Sequence, residues 1–232
     1  MTYMKTAIIT GASGNMGQAM VTKFLSAGYR VIGTALPHEA ASPASDDRLY
    51  EVIPVNLEVE SDAETFMKSV IEKHGTVDVL ICTVGGFAMG DIAKTGSADI
   101  LKQYKLNFET AYHVARPAFA QMMKQGAGRI FLVGSRPGLN AKAGKGMVAY
   151  SLAKSLIFHL AELLNGEADH SNVVTSVLVP STIDTPQNRK SMPDADFTTW
   201  VQPDAIADTV YFYCTEEAAA IREPLIKIYN KA

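Results

Sequence analysis

The chain has 232 residues, of which 47% are hydrophobic, and its formal net charge is -3. Nucleic-acid surfaces need clustered Lys and Arg, whereas the 21 basic residues here are scattered among 24 acidic ones. The composition therefore predicts a globular protein that does not bind nucleic acid.

The apolar run AIIT near the N-terminus is too short for a signal peptide or a membrane span, so we expect a cytoplasmic protein without membrane contact. Cys82 and Cys214 are the only cysteines, which predicts two buried thiols and excludes a disulfide framework. The histidines do not have metal-binding spacing, so no metal ion is expected.

Short apolar runs of strand length alternate with longer segments of helical periodicity. The strands are expected at 5–10, 30–35, within 49–57, within 77–84, and at 129–135, 172–180 and 223–229. The helices between them are expected at 16–27, 60–74, 99–125 and 147–165.

Uninterrupted Val, Ile and Leu strands separated by helices indicate a parallel sheet, because crossover helices then cover both of its faces. No composition break or internal repeat divides the chain. The predicted fold class is therefore α/β, with a doubly wound parallel sheet of about seven strands, helices on both faces and a single domain over 1–232.

The stretch ITGASGNMGQAM joins the first strand to the first helix and places Gly11, Gly14 and Gly17 three residues apart. Glycines there allow a tight turn and close approach to a pyrophosphate, while the helix N-terminus supplies N–H groups. Such a triplet alone also occurs in plain strand-to-helix turns, but the βα units that follow favour a nucleotide. The stretch predicts a Rossmann-type dinucleotide site.

The tip of the second strand reads VIGTALPHEA and lacks both the acid that would hold the ribose of NAD and an arginine for NADP. Loss of the acid removes the repulsion against a 2′-phosphate. Thr34, with a nearby donor such as His38, can then accommodate that phosphate. The tip favours NADP over NAD.

The run VAYSLAKSL places Tyr150 and Lys154 one helical turn apart on the same face. A phenol is a poor acid-base catalyst at neutral pH, but an adjacent ammonium group and an oxidised nicotinamide both lower its pKa. Tyr150 can then exchange the proton that accompanies a hydride. The alternative interpretation is an ordinary surface pair.

Two polar residues upstream complete a candidate catalytic group. Ser135 follows a strand at the edge where ligands bind in open α/β sheets, and it can hydrogen-bond a substrate carbonyl or cap the loop. Asn107 lies in the long helix, where its amide competes with backbone hydrogen bonds, so either a special role or a solvated side chain is expected.

Together these residues resemble the short-chain dehydrogenase/reductase family over essentially the whole chain. Its glycine motif matches 10–17, with Asn15 in place of the usual middle glycine, and its NNAG stretch reads CTVGG here, with Gly85 kept. Its tetrad of Asn, Ser, Tyr and Lys corresponds in type and order to the residues Asn107, Ser135, Tyr150 and Lys154.

The resemblance implies a role for each residue of this tetrad. Tyr150 is the acid/base, Lys154 holds the nicotinamide ribose and lowers the Tyr150 pKa, Ser135 orients the substrate, and Asn107 holds a water in the proton relay. The implied cofactor contacts are Gly11, Ser13, Gly14, Asn15, Met16, Gly17, Thr34, Asn56, Leu57, Val84, Gly85, Tyr150, Lys154, Pro180, Ile183 and Thr185.

The polar segment at 181–197 reads STIDTPQNRKSMPDADF and follows the sixth strand. This segment and CTVGGFAMG are similar to stretches of the dihydropteridine reductases, a branch of that family. Its apolar residues predict a lid over about 186–202, or a loop that covers the core. The candidate substrate contacts are Phe87, Met192, Phe197 and Trp200.

The sequence therefore predicts an NAD(P)H-dependent short-chain oxidoreductase that transfers a hydride to a carbonyl or dihydropterin-like small molecule. One alternative is a non-catalytic NADP-binding sensor or structural subunit, because the fold tolerates loss of activity. Another is a dehydratase or epimerase on the same scaffold. The resemblance also implies a homodimer or homotetramer formed through the long helices around Asn107 and Tyr150.

Overall fold

Strands and helices alternate along the chain in the computed structural model, which describes residues 4–37 and 47–231. The strands are β1 (Thr6–Thr10), β2 (Arg30–Ala35), β3 (Tyr50–Pro54), β4 (Val79–Cys82), β5 (Ala127–Val133), β6 (Asn172–Pro180) and β7 (Leu225–Ile228). The α-helices are α1 (Asn15–Ser26), α2 (Glu60–His74), α3 (Ser97–Tyr104), α4 (Thr110–Gln125), α5 (Arg136–Leu139), α6 (Val148–Ala168), α7 (Pro186–Ser191) and α8 (Pro203–Phe212).

These strands form one parallel sheet in the order β3-β2-β1-β4-β5-β6-β7. The direction of the order reverses between β1 and β4. Ligands of doubly wound sheets bind at such a reversal, in the crevice beyond the carboxyl ends of the strands. The predicted doubly wound parallel sheet is confirmed, and the ends of β1, β4, β5 and β6 lie near this crevice.

Two apolar layers cover the faces of the sheet. Because successive strand residues point to opposite faces, Ile8 packs with α2, α4 and α6, whereas Ile9 packs with α1 and α8. Both residues are fully buried. The two layers hold the sheet rigid and leave its carboxyl edge to the connecting loops.

The helix expected at 99–125 is interrupted in the structure. Lys105–Glu109 form a π-helical turn between α3 and α4, with Asn107 at its centre. Single π turns are rare inside α-helices and are frequent at functional sites. The periodicity predicts the length of this segment but not the turn.

The polar stretch at 181–197 contains more regular structure than its composition indicates. The Thr185 hydroxyl accepts a hydrogen bond of 3.1 Å from the Asn188 N–H and thereby caps α7. Asp196 accepts a bond of 3.0 Å from the Thr198 N–H and caps a 3₁₀ turn at Phe197–Thr199. Side-chain oxygens at helix starts satisfy N–H groups that lack partners within the helix.

The cysteines are both free thiols. Cys82 is buried, as predicted, but Cys214 is only partly buried, because it follows α8 near the surface, where its Sγ contacts the Val210 carbonyl. His38 lies outside the described residues. In the described ranges, no helix has the length and apolar character needed to cross a membrane, and no cluster of His, Cys, Asp or Glu is arranged to hold a metal ion.

The burial of Phe131 on β5 allows a direct test of the layer on the α1 and α8 side. Its side chain is 1% exposed, so Phe131→Ala should leave a cavity and lower the free energy of unfolding by about 3–5 kcal/mol. Phe212 is 45% exposed, and Phe212→Ala should cost less than about 1 kcal/mol. Denaturant titration followed by circular dichroism measures the free energy of unfolding of both variants. Similar losses would contradict the burial of Phe131 in the layer on the α1 and α8 side.

Candidate active site

The candidate catalytic residues meet at the carboxyl edge of the sheet. Tyr150 lies in the first turn of α6, where burial raises the pKa of its phenol, whereas a hydrogen bond with the Ser135 side chain lowers it. The ring of Phe87 lies edge-on to that of Tyr150, with 5.2 Å between the ring centroids. The phenol is therefore flanked by a hydroxyl and by an aromatic wall.

Ser135 has a structural role as well as a place beside Tyr150. Its Oγ accepts a hydrogen bond of 3.2 Å from the Gly138 N–H and caps the short helix α5. A Cβ at Gly138 would lie 2.7 Å from the Lys154 Cβ, so only glycine lets α5 pack this closely on α6. Gly138 is not among the predicted site residues, although SRPG places a glycine in the turn after the serine.

Lys154, one helical turn after Tyr150 in α6, is buried, with only 4% of its surface exposed. Its Nζ donates a hydrogen bond of 2.8 Å to the Val133 carbonyl at the end of β5. Burial lowers the pKa of this ammonium group to about 8, and the Cys82 thiol nearby has a smaller opposing effect. The pKa of that thiol is itself raised to about 12 by burial, so Cys82 is neutral.

Asn107 is 1% exposed and fixes the loop after β4. Its Oδ1 accepts a bond of 3.1 Å from the Gly86 N–H, and its Nδ2 donates to the Gly86 carbonyl at 2.9 Å. Nδ2 also donates to Gln103 Oε1 at 2.9 Å. A Cβ at Gly85 would lie 2.7 Å from Asn107 Oδ1 and 3.2 Å from Lys154 Nζ, so glycine is required between them.

The glycine turn after β1 has the close contacts that its sequence predicts. Gly11 has φ +63°, a conformation that favours glycine, and its carbonyl accepts a bond of 3.0 Å from the Gly14 N–H. A Cβ at Gly17 would lie only 2.1 Å from that same carbonyl. Gly14, the N-cap residue of α1, makes no side-chain capping hydrogen bond, and the first N–H groups of a helix have no partner within the helix.

Some predicted cofactor contacts hold the turn rather than line the crevice. Thr34 is 1% exposed, and its hydroxyl accepts a bond of 3.3 Å from the Gly11 N–H. Thr83, which the sequence analysis missed, donates from its hydroxyl to the Thr10 carbonyl at 2.6 Å and ties the end of β4 to that of β1. Its signal is a polar residue directly after a buried strand.

The remaining predicted cofactor residues lie around this edge. Asn56 is half-buried, and its Oδ1 accepts a bond of 3.2 Å from the Glu58 N–H, while Leu57 is buried. Val84 contacts the glycine turn, because a Cβ at Gly11 would lie 3.1 Å from its Cγ2. The exposed members are Ser13, Gly14, Asn15 and Gly85, and the half-buried ones are Met16, Pro180, Ile183 and Thr185.

The segment after β6 is anchored by an ion pair at its base. Both carboxylate oxygens of Asp184 accept from the Arg189 guanidinium, at 2.6 and 2.7 Å, and Gln202 donates to Oδ2 at 2.7 Å. These hydrogen bonds lower the pKa of Asp184 to about 2. A short parallel bridge between Ile183 and Val201 also joins the two ends of the segment.

The aromatic side chains of this segment pack on one another. The Arg189 guanidinium lies 4.8 Å from the centre of the Phe197 ring, and that ring lies 4.8 Å from that of Trp200. Trp200 is 5% exposed, whereas Met192 is 41% exposed. Phe87 is thus the aromatic residue that contacts Tyr150, and Trp200 lies beneath the segment.

The wall that carries Phe87 is joined to the start of α6. The Gly90 N–H donates to the Gly146 carbonyl at 2.8 Å, and the Val148 N–H donates to the Gly90 carbonyl at 2.9 Å. These bonds form a short parallel bridge between Gly90 and Met147. The sequence analysis missed this bridge, for which the local pattern carries no signal.

Comparisons with known proteins agree with this geometry. A dihydropteridine reductase from Dictyostelium discoideum is 28% identical over 240 residues, covering 98% of this chain and 96% of that protein. An acetoacetyl-CoA reductase from Acinetobacter sp. is 28% identical over 193 residues, covering 80% and 77%. The crystal structure of a short-chain oxidoreductase from Burkholderia thailandensis superposes with a TM-score of 0.85 at 26% identity, covering 99% and 92%.

The family model described as short chain dehydrogenase matches residues 5–196, which include the glycine turn and the whole tetrad. Members of that family bind NAD or NADP. Strand order, glycine turn and tetrad thus all agree with the match, and the chain belongs to the short-chain dehydrogenase family.

Proposed function

We propose that this protein is an NAD(P)H-dependent reductase that transfers a hydride to a carbonyl or dihydropterin-like substrate, with Tyr150 as the acid/base. The observation that carries the proposal is the phenol of Tyr150, which is hydrogen-bonded with Ser135 one helical turn from the buried Lys154. The names of two relatives, an acetoacetyl-CoA reductase and a dihydropteridine reductase, support these two substrate classes.

The residues around the glycine turn fit a dinucleotide. The close approach of Gly17 to Gly11 leaves backbone N–H groups at the uncapped start of α1, where a pyrophosphate can accept their hydrogen bonds. Ala35, Leu36 and Pro37, the described tip after β2, carry no charge, which supports NADP over NAD. The nicotinamide, when bound, supplies the hydride.

The tetrad supplies the proton and stabilises the phenolate that remains. Burial keeps the Tyr150 phenol protonated at neutral pH, so it is ready to donate when a carbonyl or imine is reduced. Lys154, with a pKa of about 8, is then still charged and stabilises the phenolate that remains. Ser135 orients the substrate oxygen or nitrogen, and Oδ1 of Asn107 keeps a lone pair for a water of the proton relay.

The segment 186–202 is proposed as the substrate lid. The pair of Asp184 and Arg189 holds its base, Trp200 forms its floor, and Met192 at the end of α7 is its most exposed candidate contact. The expected homodimer or homotetramer also stays a proposal. Exposed Leu152, Leu156 and Leu163 on α6 support an interface there.

Replacement of Tyr150 by Phe tests the catalytic proposal. Tyr150→Phe removes the proton donor, so turnover should fall by about 10²–10⁴, while the affinity for the reduced cofactor changes by less than about threefold. Tyr213→Phe, after α8, is the matched control and should keep full activity. The measurement is NADPH or NADH oxidation with quinonoid dihydropterin and a panel of ketones. Full turnover by Tyr150→Phe would contradict the catalytic role of Tyr150, whereas a wild type that binds the cofactor but turns over no substrate would favour the sensor.

Replacement of Gly17 by Ala tests the cofactor site. The new Cβ would collide with the Gly11 carbonyl, so the turn must open and the affinity for NADPH should fall at least about tenfold. Gly166→Ala in α6 meets no atom within 4 Å and should leave binding unchanged. Fluorescence titration with NADPH and NADH measures both variants. Equal affinities of Gly17→Ala and wild type would exclude this turn as the binding site.

Replacement of Lys154 by Met tests the burial of its charge. The pKa of Lys154 is lowered from 10.5 to about 8, so between these pH values the unfolded chain binds a proton that the folded protein has released. The free energy of unfolding of the wild type should therefore rise by about 3 kcal/mol from pH 8 to pH 10.5 relative to Lys154→Met. Lys124→Met, on the surface of α4, should follow the wild-type curve. Denaturant titrations across this pH range measure the free energy of unfolding. Parallel curves of that free energy against pH for wild type and Lys154→Met would contradict the lowered pKa.

A further inference from the structure

A cavity of about 460 Å³ lies beside the candidate catalytic residues. Phe87, which contacts the Tyr150 ring, and Ala149, which precedes Tyr150 in α6, form the wall nearest the phenol. The loop after β4 and the helix α3 form the rest. A substrate that reaches Tyr150 can therefore extend across Phe87 into this space.

The lining of the cavity includes two lysines, Lys94 on the loop and Lys102 on α3. Both are exposed, and neither takes part in an ion pair with any residue of the described ranges. Two ammonium groups beside one cavity attract an anion and strengthen each other's effect.

The nearby carboxylates are occupied by backbone N–H groups. Asp99, which also lines the cavity, accepts from the Gly96 N–H at 2.9 Å. Asp91 accepts from the Ala93 N–H at 3.1 Å and from the Lys94 N–H at 3.0 Å. These bonds orient the two carboxylates toward the loop backbone, and within the described residues neither acid forms an ion pair with Lys94 or Lys102, although both acids keep their charge.

Gln103 supplies a neutral donor between the lysines and the tetrad. Its side chain lines the cavity and is 5% exposed, and its Oε1 accepts the bond from Asn107 Nδ2. This bond fixes the amide orientation and leaves the Nε2 amino group without a hydrogen bond to any other described residue. An anion in the cavity can accept from that amino group.

We propose that the cavity binds an anionic substituent, a carboxylate or a phosphate, of a ketone substrate whose reacting carbonyl lies at Tyr150. Lys94, Lys102 and the Gln103 amide hold the anion, and Phe87 and Leu106 contact the apolar chain that links it to the carbonyl. This inference rests on the proposed reductase function and narrows its substrate class. Two lysines do not strengthen the binding of a neutral dihydropterin, whereas they do strengthen the binding of an oxo acid.

The test compares charged and neutral forms of the same ketones. Oxo carboxylates of increasing chain length and their methyl esters are assayed by NADPH or NADH oxidation, and the ratio of kcat/KM for acid and ester is measured. Wild type should prefer the acid for at least one chain length. Lys94→Gln and Lys102→Gln should each lower that ratio by about threefold to fivefold, and the double variant by at least about tenfold.

A second double variant controls for net charge. Lys68→Gln with Lys124→Gln removes the same two charges from the surface of α2 and α4 and should leave the acid-to-ester ratio unchanged. A preference that disappears equally in both double variants would reflect the overall field of the protein and overturn the site. A ratio that is unchanged in the Lys94 and Lys102 double variant would overturn it as well.

Inhibition identifies the anion and its location. At constant ionic strength, sodium acetate or inorganic phosphate should compete with the methyl ester of the ketone, and the stronger inhibitor indicates a carboxylate or a phosphate substituent. Competition against the cofactor alone would place the anion at the nucleotide site and overturn the proposal.

The failure of this inference can be told apart from the failure of the proposed function. Ester turnover that depends on Tyr150, without any preference for the acid, rejects the inference alone. If no ketone is reduced, calorimetric titration of the oxo acids into the cofactor-bound protein tests the site directly. Binding that weakens at least about tenfold in the Lys94 and Lys102 double variant supports the site. Equal binding by wild type and double variant, or no binding at all, rejects it.

Discussion

The burial of one ammonium group, that of Lys154, is the constraint on which the candidate site depends. A cation is costly to bury without partners, and the Val133 carbonyl at 2.8 Å offsets only part of this cost, which is why the pKa of Lys154 is lowered to about 8. The space for this side chain exists because Gly85 and Gly138 have no side chains of their own. The proposed action of this charge on the Tyr150 phenol would then be little screened by water.

Three of the four tetrad residues also hold the backbone in place. Ser135 caps α5, Asn107 binds both polar groups of Gly86, and Lys154 binds the end of β5. The structural and the catalytic interpretations of these residues are therefore not exclusive. Side chains that are fixed by backbone partners are preorganised, since little freedom is left to lose when a substrate binds.

The sequence predicts the scaffold well, because apolar runs and helical periodicity are local. The bounds expected at 60–74 and 172–180 match α2 and β6. The π turn around Asn107 depends on its contact with Gly86, and the order after β6 depends on the pairing of Asp184 with Arg189 and Gln202. No local pattern encodes such contacts. Residue types and their order predict the tetrad, whereas the buried position of Thr34 and the cavity beside Phe87 depend on the fold.

The bridge between Gly90 and Met147 joins the loop that forms the cavity wall to the first turn of the helix that carries Tyr150. Tyr150 and the cavity wall therefore share one support, although the loop itself is largely exposed. Substitutions in this loop can change the cavity that is proposed to bind the remote end of a substrate, while the residues around the Tyr150 phenol stay the same. Under the proposed function, evolution can therefore change the substrate through this loop without altering the residues around Tyr150.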